Sequence, residues 1–207
     1  MVRVGKEEEE EKLAGEITCL VWATALMALV YSCIREAKKL AQPDDIVNTT
    51  VFPQVRFVQS GLFRVKLPNP PKDKTRSTRH LLVYLVEERI TGQFVKYIHN
   101  GSAVPRVQVG NEGDIASFLS FCQHLQYVKT SKQVYISDFQ GFNGLLTDPQ
   151  IMTTPDIPRR LFGDGNVARA FAAFESEHEC TQYCMAYGLD TFTDRSGTRS
   201  PRVDVVE

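Results

Sequence analysis

The sequence predicts one α+β domain, and three features of the chain point to it. The chain has 207 residues, 43% of them hydrophobic, which suits a single domain with a proper core. Residues 17–34 carry no charged side chain, as in a helix that its neighbours bury. Short segments of strand character, bounded by glycine, proline or asparagine, follow at several places. We therefore expect helices and short strands within one fold.

The uncharged segment 17–34 has two interpretations. As a helix it is about 27 Å long, just short of the hydrocarbon thickness of a bilayer. Acidic residues before it and basic residues after it would suit insertion with the C-terminal side inside. Thr18, Thr24 and Ser32 interrupt the segment, and a core helix packed against a sheet explains it equally well. We predict the core helix, closed by Pro43, and no membrane association.

Three strands are expected after this helix. Residues 55–58 and 62–67 form two short strands joined by a turn, and residues 80–88 form a third that is apolar enough to be central in its sheet. The proline-led basic segment 69–79 is a loop between them.

Residues 114–127 form the next predicted helix. Asp114 is the candidate N-cap, because a carboxylate can accept a hydrogen bond from a free backbone N–H of the first turn. The helical spacing predicts a buried stripe made of Phe118, Phe121, Cys122 and Leu125.

Composition narrows the functional classes. A net charge of −1 without a basic stripe argues against nucleic-acid binding. Five cysteines are an odd number without a disulfide-like framework, and no secretory signal precedes the first apolar segment. We predict a cytoplasmic protein, with an acidic tail at 1–16 and a disordered tail at 190–207.

The segment 134–151 is the most informative part of the chain. Four residues of strand character lead to Asp138, and glycines then break the strand. Asp138 and Gln140 are two positions apart, so both can face the same side of an extended backbone, and Asp148 adds a second carboxylate. These oxygens suit Mg²⁺. The alternative is a strand end followed by a polar turn.

Resemblance favours the functional interpretation. The runs Asp138-Phe139-Gln140-Gly141 and Leu146-Thr147-Asp148-Pro149-Gln150 resemble the catalytic segment of the atypical alpha-type protein kinases. Similarity extends over roughly residues 17–189, and the apolar helix resembles the long helix of the N-terminal lobe in that family. This implies transfer of a phosphoryl group from ATP, with Asp138 as base or metal ligand, Gln140 on Mg²⁺ and Asp148 near the transferred group.

The same resemblance assigns three residues to the nucleotide. Glu87 corresponds to an acidic hinge residue on the adenine and ribose side, and Lys96 and Asn100 correspond to residues near the phosphates. A lysine charge stabilises phosphate oxygens and an amide can orient them. Considered alone, the segment is better explained as a strand pair with a surface lysine.

Four residues predict a structural zinc site. The run His178-x-Cys180-x-x-x-Cys184 offers three of the four ligands that a tetrahedral site requires, and His124 would complete the set. Cys180 and Cys184 would share a helix face, whereas the backbone must break near Glu179 for His178 to join them. The alternative is a pair of buried cysteines in a helix.

A glycine-rich loop precedes the last predicted long helix, which covers residues 167–177. Gly163, Gly165 and Asn166 resemble the loop that this family uses to contact the peptide substrate. Ala168 stands where the family usually has another glycine.

The predicted organisation is an alpha-kinase-like domain at 17–189, with an incomplete N-terminal lobe (17–88) and a complete C-terminal lobe (89–189). The strands that carry the ATP-binding lysine in complete relatives have no counterpart before the long helix. The expected function is a serine/threonine kinase using ATP, Mg²⁺ and structural Zn²⁺, with an unknown protein substrate and weak activity. The alternative is an inactive module that binds a peptide or protein.

Overall fold

A computed structural model of the chain describes residues 6–66, 81–158, 161–162 and 165–192. The predicted loop at 69–79, Gly163 and most of the predicted C-terminal tail therefore lie outside the described residues. The described helices are α1 (Lys6–Leu40), α2 (Ile46–Thr49), α3 (Gly110–Lys129), α4 (Ala168–Glu177) and α5 (Gln182–Tyr187). The described strands are β1 (Arg56–Phe57), β2 (Ser60–Lys66), β3 (Leu81–Glu87), β4 (Val95–Lys96), β5 (Val134–Ser137), β6 (Gln140–Phe142), β7 (Leu145–Thr147) and β8 (Gln150–Thr153).

The long helix α1 contains the predicted apolar segment but begins earlier, at Lys6. The glutamates before residue 17 continue the helix, because glutamate is a good helix former and is favoured near a helix N-terminus. One face of α1 enters the main core through Cys19, Leu20, Ala23, Leu26, Met27, Val30 and Ile34. The opposite face exposes Val21 and Trp22. By length and composition α1 could also cross a membrane, but its buried face belongs to the core of this fold.

The described strands form three small sheets. One has four strands in the order β1-β7-β6-β4, and the others are the antiparallel pairs β2-β3 and β5-β8. Within the first sheet β1 runs parallel to β7, while β6 is antiparallel to both of its neighbours. The chain passes from β5 in one sheet to β6 in another across two residues, Asp138 and Phe139. This crossing places Asp138 between the sheets.

Strand β3 is not central, contrary to the prediction. Among the described residues it pairs only with β2, and α1 packs against this pair. Tyr84 and Val86 on β3 and Phe63 on β2 are each about half exposed. Directly paired residues such as Phe63 and Tyr84 point to the same face of a sheet. The apolar character of β3 therefore reflects one partly buried and one open face.

Helix α3 is the central helix of the core. Phe118, Phe121, Cys122 and Leu125 are fully buried, which confirms the predicted stripe. The helix begins at Gly110 with Val109 as N-cap, so the prediction of Asp114 as N-cap was wrong. Asp114 lies inside the helix, where its Oδ1 accepts a hydrogen bond from the Tyr183 hydroxyl at 2.6 Å. This contact joins α3 to α5.

Candidate active site

Asp138 lies at the end of the buried strand β5, in a left-handed backbone conformation with φ of 60°. This conformation is uncommon for residues other than glycine, and aspartate is among those that tolerate it. The backbone therefore turns sharply at Asp138, and the expected extended arrangement of Asp138 and Gln140 was wrong. The turn nevertheless brings both side chains to one partner, Lys96.

Lys96 reaches this site through strand pairing. Lys96 on β4 lies directly opposite Gln140 on β6. Its Nζ atom is 2.7 Å from Asp138 Oδ2 and donates a hydrogen bond to Gln140 Oε1 at 3.1 Å. The Asp138 side chain is 12% exposed and that of Lys96 is 27% exposed, so the surrounding water screens this pair less than a surface ion pair. Sheet register thus explains why residues far apart in sequence meet here.

The other carboxylate oxygen of Asp138 is also engaged. The backbone N–H of Asn100 donates to Asp138 Oδ1 at 3.1 Å. Lys96 and Asn100 together hold the carboxylate in one orientation. The Asn100 side chain extends to the predicted substrate loop, where its Nδ2 donates to the carbonyl oxygen of Gly165 at 3.4 Å.

Asp148 joins the site through Gln140, whose Nε2 donates to Asp148 Oδ2 at 2.8 Å. Partial burial raises the pKa of Asp148, and the negative charge of Asp138 raises it further. Next to Asp148, the Thr147 hydroxyl donates to the Glu87 carboxylate at 3.2 Å. The predicted nucleotide residue Glu87 therefore borders the same site as the predicted catalytic residues.

Two further residues of this site have no predicted function, Glu16 and Thr147. Burial raises the pKa of Glu16, and the charges of Asp148 and Glu87 add to the effect. Thr147 lies inside the run that carries the family resemblance, so its position was visible in the sequence. Glu16 belongs to a glutamate-rich segment, and nothing in that segment distinguishes it from its neighbours.

The donor atoms of this site suit Mg²⁺. Asp138 and Asp148 offer carboxylate oxygens and Gln140 offers an amide oxygen, all of them hard ligands. After burial, the negative charge of Asp138 is the next cause of the raised pKa of Asp148, and a divalent cation would offset this repulsion. In this structure Lys96 donates to Asp138 and Gln140, so these two oxygens become available to a metal only when Lys96 moves toward another acceptor.

The predicted substrate loop is described in part, at Gly165 and Asn166. The Asn166 Nδ2 atom donates to Thr153 Oγ1 at 2.7 Å, and its Oδ1 accepts from the Thr153 N–H at 3.2 Å. Asn166 therefore fastens the loop to the end of β8. At Gly165 an added Cβ would lie 1.4 Å from Gln150 Oε1, so the absence of a side chain allows this close approach.

The four predicted zinc ligands come together away from this site. Single ligand atoms of His124, His178, Cys180 and Cys184 all lie within 4.8 Å of one another. Cys180 Sγ is 3.7 Å from His124 Nδ1, and Cys184 Sγ is 3.7 Å from His178 Nε2. Tetrahedral zinc with ordinary bond lengths separates sulfur and nitrogen ligands by about 3.5 Å. The cluster has nearly the required size.

A break between helices assembles this cluster. Helix α4 ends at Glu177 and α5 begins at Gln182, which confirms the predicted interruption near Glu179. Cys180 lies in the interruption, so the expectation that it shares a helix face with Cys184 was wrong. The nonhelical backbone at 178–181 turns His178 and Cys180 toward His124 on α3.

The chemistry of the donors also suits structural zinc. Burial, with a further contribution from His124, lowers the pKa of His178 to about 3, so its imidazole is neutral, as ligation requires. The Ser120 hydroxyl lies 3.5 Å from His178 Nδ1, which leaves Nε2 facing Cys184. Burial raises the pKa of Cys184 to about 11, and a bound cation would favour its thiolate.

The chain is similar in sequence to several curated kinases. It is 31% identical over 111 residues to mouse (Mus musculus) eukaryotic elongation factor 2 kinase, an alignment covering 53% of this chain and 14% of that protein. It is 34% identical over 106 residues to myosin heavy chain kinase A of Dictyostelium discoideum, covering 51% of this chain and 8% of that protein. The chain therefore spans less than a fifth of the length of these relatives.

Solved structures show the same fold. The alpha-kinase domain of myosin-II heavy chain kinase A in complex with adenosine matches 92% of this chain and 59% of its own length, with a TM-score of 0.57 and 23% identity. The same domain in complex with AMP-PNP has a TM-score of 0.55. A model of the Alpha-kinase family matches residues 15–184. This chain, with its mixed α/β fold, belongs to the alpha-kinase family.

Proposed function

We propose that this chain is a protein serine/threonine kinase domain that transfers the γ-phosphoryl group of ATP to a protein substrate, and that its transfer is slow. The observation that carries this proposal is the convergence of Lys96, Asp138, Gln140 and Asp148. Phosphoryl transfer requires mainly positioning and charge stabilisation, and these side chains offer both. Neighbouring alpha-kinase domains bind adenosine and AMP-PNP, which supports ATP as the nucleotide here.

The side chains divide the work as follows. Asp138 is oriented by Lys96 and Asn100, so that its carboxylate can accept the proton of the substrate hydroxyl or hold a metal. Lys96 supplies a positive charge, and its side chain can turn from Asp138 to the phosphate oxygens when ATP binds. Asp138, Gln140 and Asp148 would hold Mg²⁺, which neutralises phosphate charge when bound.

Two features of the described structure support slow transfer. Lys96 must leave Asp138 before it can serve the phosphates, and Glu87 on the nucleotide side is exposed. Electrostatic stabilisation of a transition state is strongest where water is excluded. The same ion pair favours a second candidate, a module that binds a peptide without catalysis, because it occupies the catalytic carboxylate.

The His/Cys cluster completes the proposal as a structural zinc site. His124, His178, Cys180 and Cys184 leave no position for a substrate, which separates this site from the catalytic one. We further propose a soluble cytoplasmic domain that acts on protein and does not bind nucleic acid, in keeping with its net charge of −1.

Two measurements test the function. Mg-ATP is titrated into the protein by calorimetry, and transfer from labelled ATP to a basic peptide is followed over hours. We expect binding, slow transfer, and loss of transfer in Asp138→Ala. Asp44→Ala is the matched control, because exposed Asp44 lies beyond the C-terminal end of α1 whereas the site lies near its N-terminal part.

The outcomes separate the two candidates. Transfer that persists in Asp138→Ala would refute the proposed catalytic carboxylate. Binding without transfer would support the binding module, and absence of nucleotide binding would refute the kinase proposal.

A further inference from the structure

Glu177 holds the turn that contacts Asp138. It is the last residue of α4. Its Oε2 atom accepts hydrogen bonds from the Ser102 hydroxyl at 3.0 Å and from the Ala103 N–H at 3.2 Å. A carboxylate that accepts a backbone hydrogen bond makes a stronger contact than a neutral acceptor. Glu177 therefore fixes the C-terminal end of this turn.

The turn itself is short and closed. The Ser102 N–H donates to the His99 carbonyl oxygen at 3.3 Å. Asn100, whose N–H donates to Asp138, lies between these two residues. A displacement at Ser102 is thus transmitted through one closed turn to the hydrogen bond on the catalytic carboxylate.

The N-terminal end of the turn has its own support. The Tyr97 N–H donates to the Phe139 carbonyl oxygen at 2.9 Å, and the Ser137 hydroxyl donates to the His99 carbonyl oxygen at 3.3 Å. Both contacts lie beside Asp138 in the chain. Glu177 is different, because it contacts the turn from helix α4, which is distant from Asp138 in the sequence. It can therefore set the orientation of the turn relative to the rest of the domain.

Helix α4 offers a firm base for this contact. Phe174, one turn before Glu177, is fully buried and stacks on Tyr135 with ring centroids 4.3 Å apart. The residue after Glu177 is His178, a member of the His/Cys cluster. Glu177 therefore lies between a residue fixed by core packing and a residue of the His/Cys cluster.

We propose that Glu177 is a positioning residue for catalysis: it keeps the Asn100 N–H on Asp138 by anchoring Ser102 and Ala103. This inference rests on the proposed kinase function, in which the orientation of Asp138 matters. Sequence gives no sign of it, since Glu177 lies in the acidic run around His178 and 75 residues from Ser102.

Two substitutions separate the contact from its charge. Glu177→Ala removes the acceptor. Glu177→Gln keeps one side-chain oxygen that can accept both hydrogen bonds, so it should restore most of the function. Glu175→Ala is the matched control: it removes a glutamate two residues earlier on the same helix, whose partners are Lys132 and Tyr127.

The first readout is backbone hydrogen exchange at Asn100 and Ala103, measured on the full chain at equal zinc content. We expect faster exchange at both positions in Glu177→Ala and near wild-type exchange in Glu177→Gln and Glu175→Ala. The second readout is transfer kinetics. Misplacement of a catalytic group by about 1 Å can cost on the order of 100-fold in rate, so we expect kcat of Glu177→Ala to fall about 10- to 100-fold with KM for the peptide little changed.

Transfer kinetics test the proposed kinase function, and hydrogen exchange tests the anchoring by Glu177 independently of it. Wild-type protein without transfer would refute the kinase function, and the exchange data would then decide the anchoring by themselves. Wild-type exchange at Asn100 in Glu177→Ala would overturn the inference whatever the activity. An equal change in Glu175→Ala would overturn it as well, because the effect would then belong to the helix as a whole.

Discussion

At the scale of single residues, backbone geometry constrains the segment around Asp138. Asp138, Asn143 and Asp148 all have positive φ, between 47° and 60°. A residue other than glycine in this region costs about 1–3 kcal/mol and persists where its surroundings hold it in place. For Asp138 these surroundings are Lys96 and the Asn100 N–H. Part of the folding free energy is therefore used to orient one carboxylate.

At Gly141 in β6, no residue with a side chain fits without a shift of the backbone. Its φ is 154°, and an added Cβ would lie 2.0 Å from the Leu145 carbonyl oxygen on the paired strand. We expect Gly141→Ala to lower the free energy of unfolding by about 2 kcal/mol or more, since backbone must shift. Gly15→Ala is the control. Apart from its chain neighbours and the backbone of its own helix, no atom lies within 4 Å of its added Cβ, so urea denaturation should show a gain of up to about 1 kcal/mol.

At the scale of elements, an ion pair joins β1 to the segment after β3. Arg56 Nη1 and Nη2 lie 2.6 and 2.7 Å from the two oxygens of Glu88, and the Gln59 N–H donates to the same carboxylate. The hydrogen bond from Arg56 is the main reason that the pKa of Glu88 falls from its ordinary 4.5 to about 2. The contact couples the four-stranded sheet to the β2-β3 pair.

This ion pair predicts a dependence of stability on pH. A carboxyl group with a lowered pKa in the folded state stabilises the fold above its unfolded pKa, and the effect disappears as pH falls through the folded value. We expect Glu88→Gln to unfold at lower denaturant concentration than wild type at pH 7, with the difference shrinking between pH 4.5 and about 2. Glu36→Gln, which removes an exposed pair with Lys39 within α1, should show a smaller difference at every pH. A constant difference for Glu88→Gln would contradict the prediction.

At the scale of the whole molecule, the His/Cys cluster connects α3 to the chain between α4 and α5. Structural zinc in small domains contributes on the order of 10 kcal/mol, comparable with the stability of an entire domain. Its four ligands come from two distant parts of the sequence. A metal here would join the core helix to the C-terminal segment of the domain.

We expect one zinc ion per chain when the protein is purified without chelator, measured by elemental analysis. Cys184→Ala should lose the metal and unfold at a markedly lower temperature, because three ligands cannot close the site. Cys33→Ala is the control, since Cys33 is a half-buried cysteine on α1 outside the cluster, and it should keep its zinc. Wild-type protein without zinc would contradict the structural metal site.

The packing of α1 also makes a prediction about membranes. Ala23 and Val30 on its inner face are fully buried in the core, so insertion into a bilayer would require the fold to open. We expect the protein to be released from membrane fractions by alkaline carbonate. Retention in the pellet would contradict this prediction, because it would show that α1 inserts into the bilayer instead of packing in the core.

Sequence alone was sufficient for the apolar helix, the buried stripe of α3 and the four members of the His/Cys cluster. Each of these has a local signature: a long uncharged segment, a helical spacing, or residue types that bind zinc. The resemblance at Asp138, Gln140 and Asp148 similarly depended on short runs of residues. Such patterns can be recognised in the sequence because most of the residues that form each of them are close together in the chain.

Tertiary structure alone decided how distant residues meet. The contact between Lys96 and Asp138 depends on the register of β4 against β6, and the contact between Glu177 and Ser102 depends on how α4 packs against the turn. The open face of β3 and the internal position of Asp114 were likewise misjudged, because an apolar strand or a carboxylate near a helix start does not specify its partners. Strand register and the partners of single side chains arise from the packing of the whole chain, and no short run of residues encodes them.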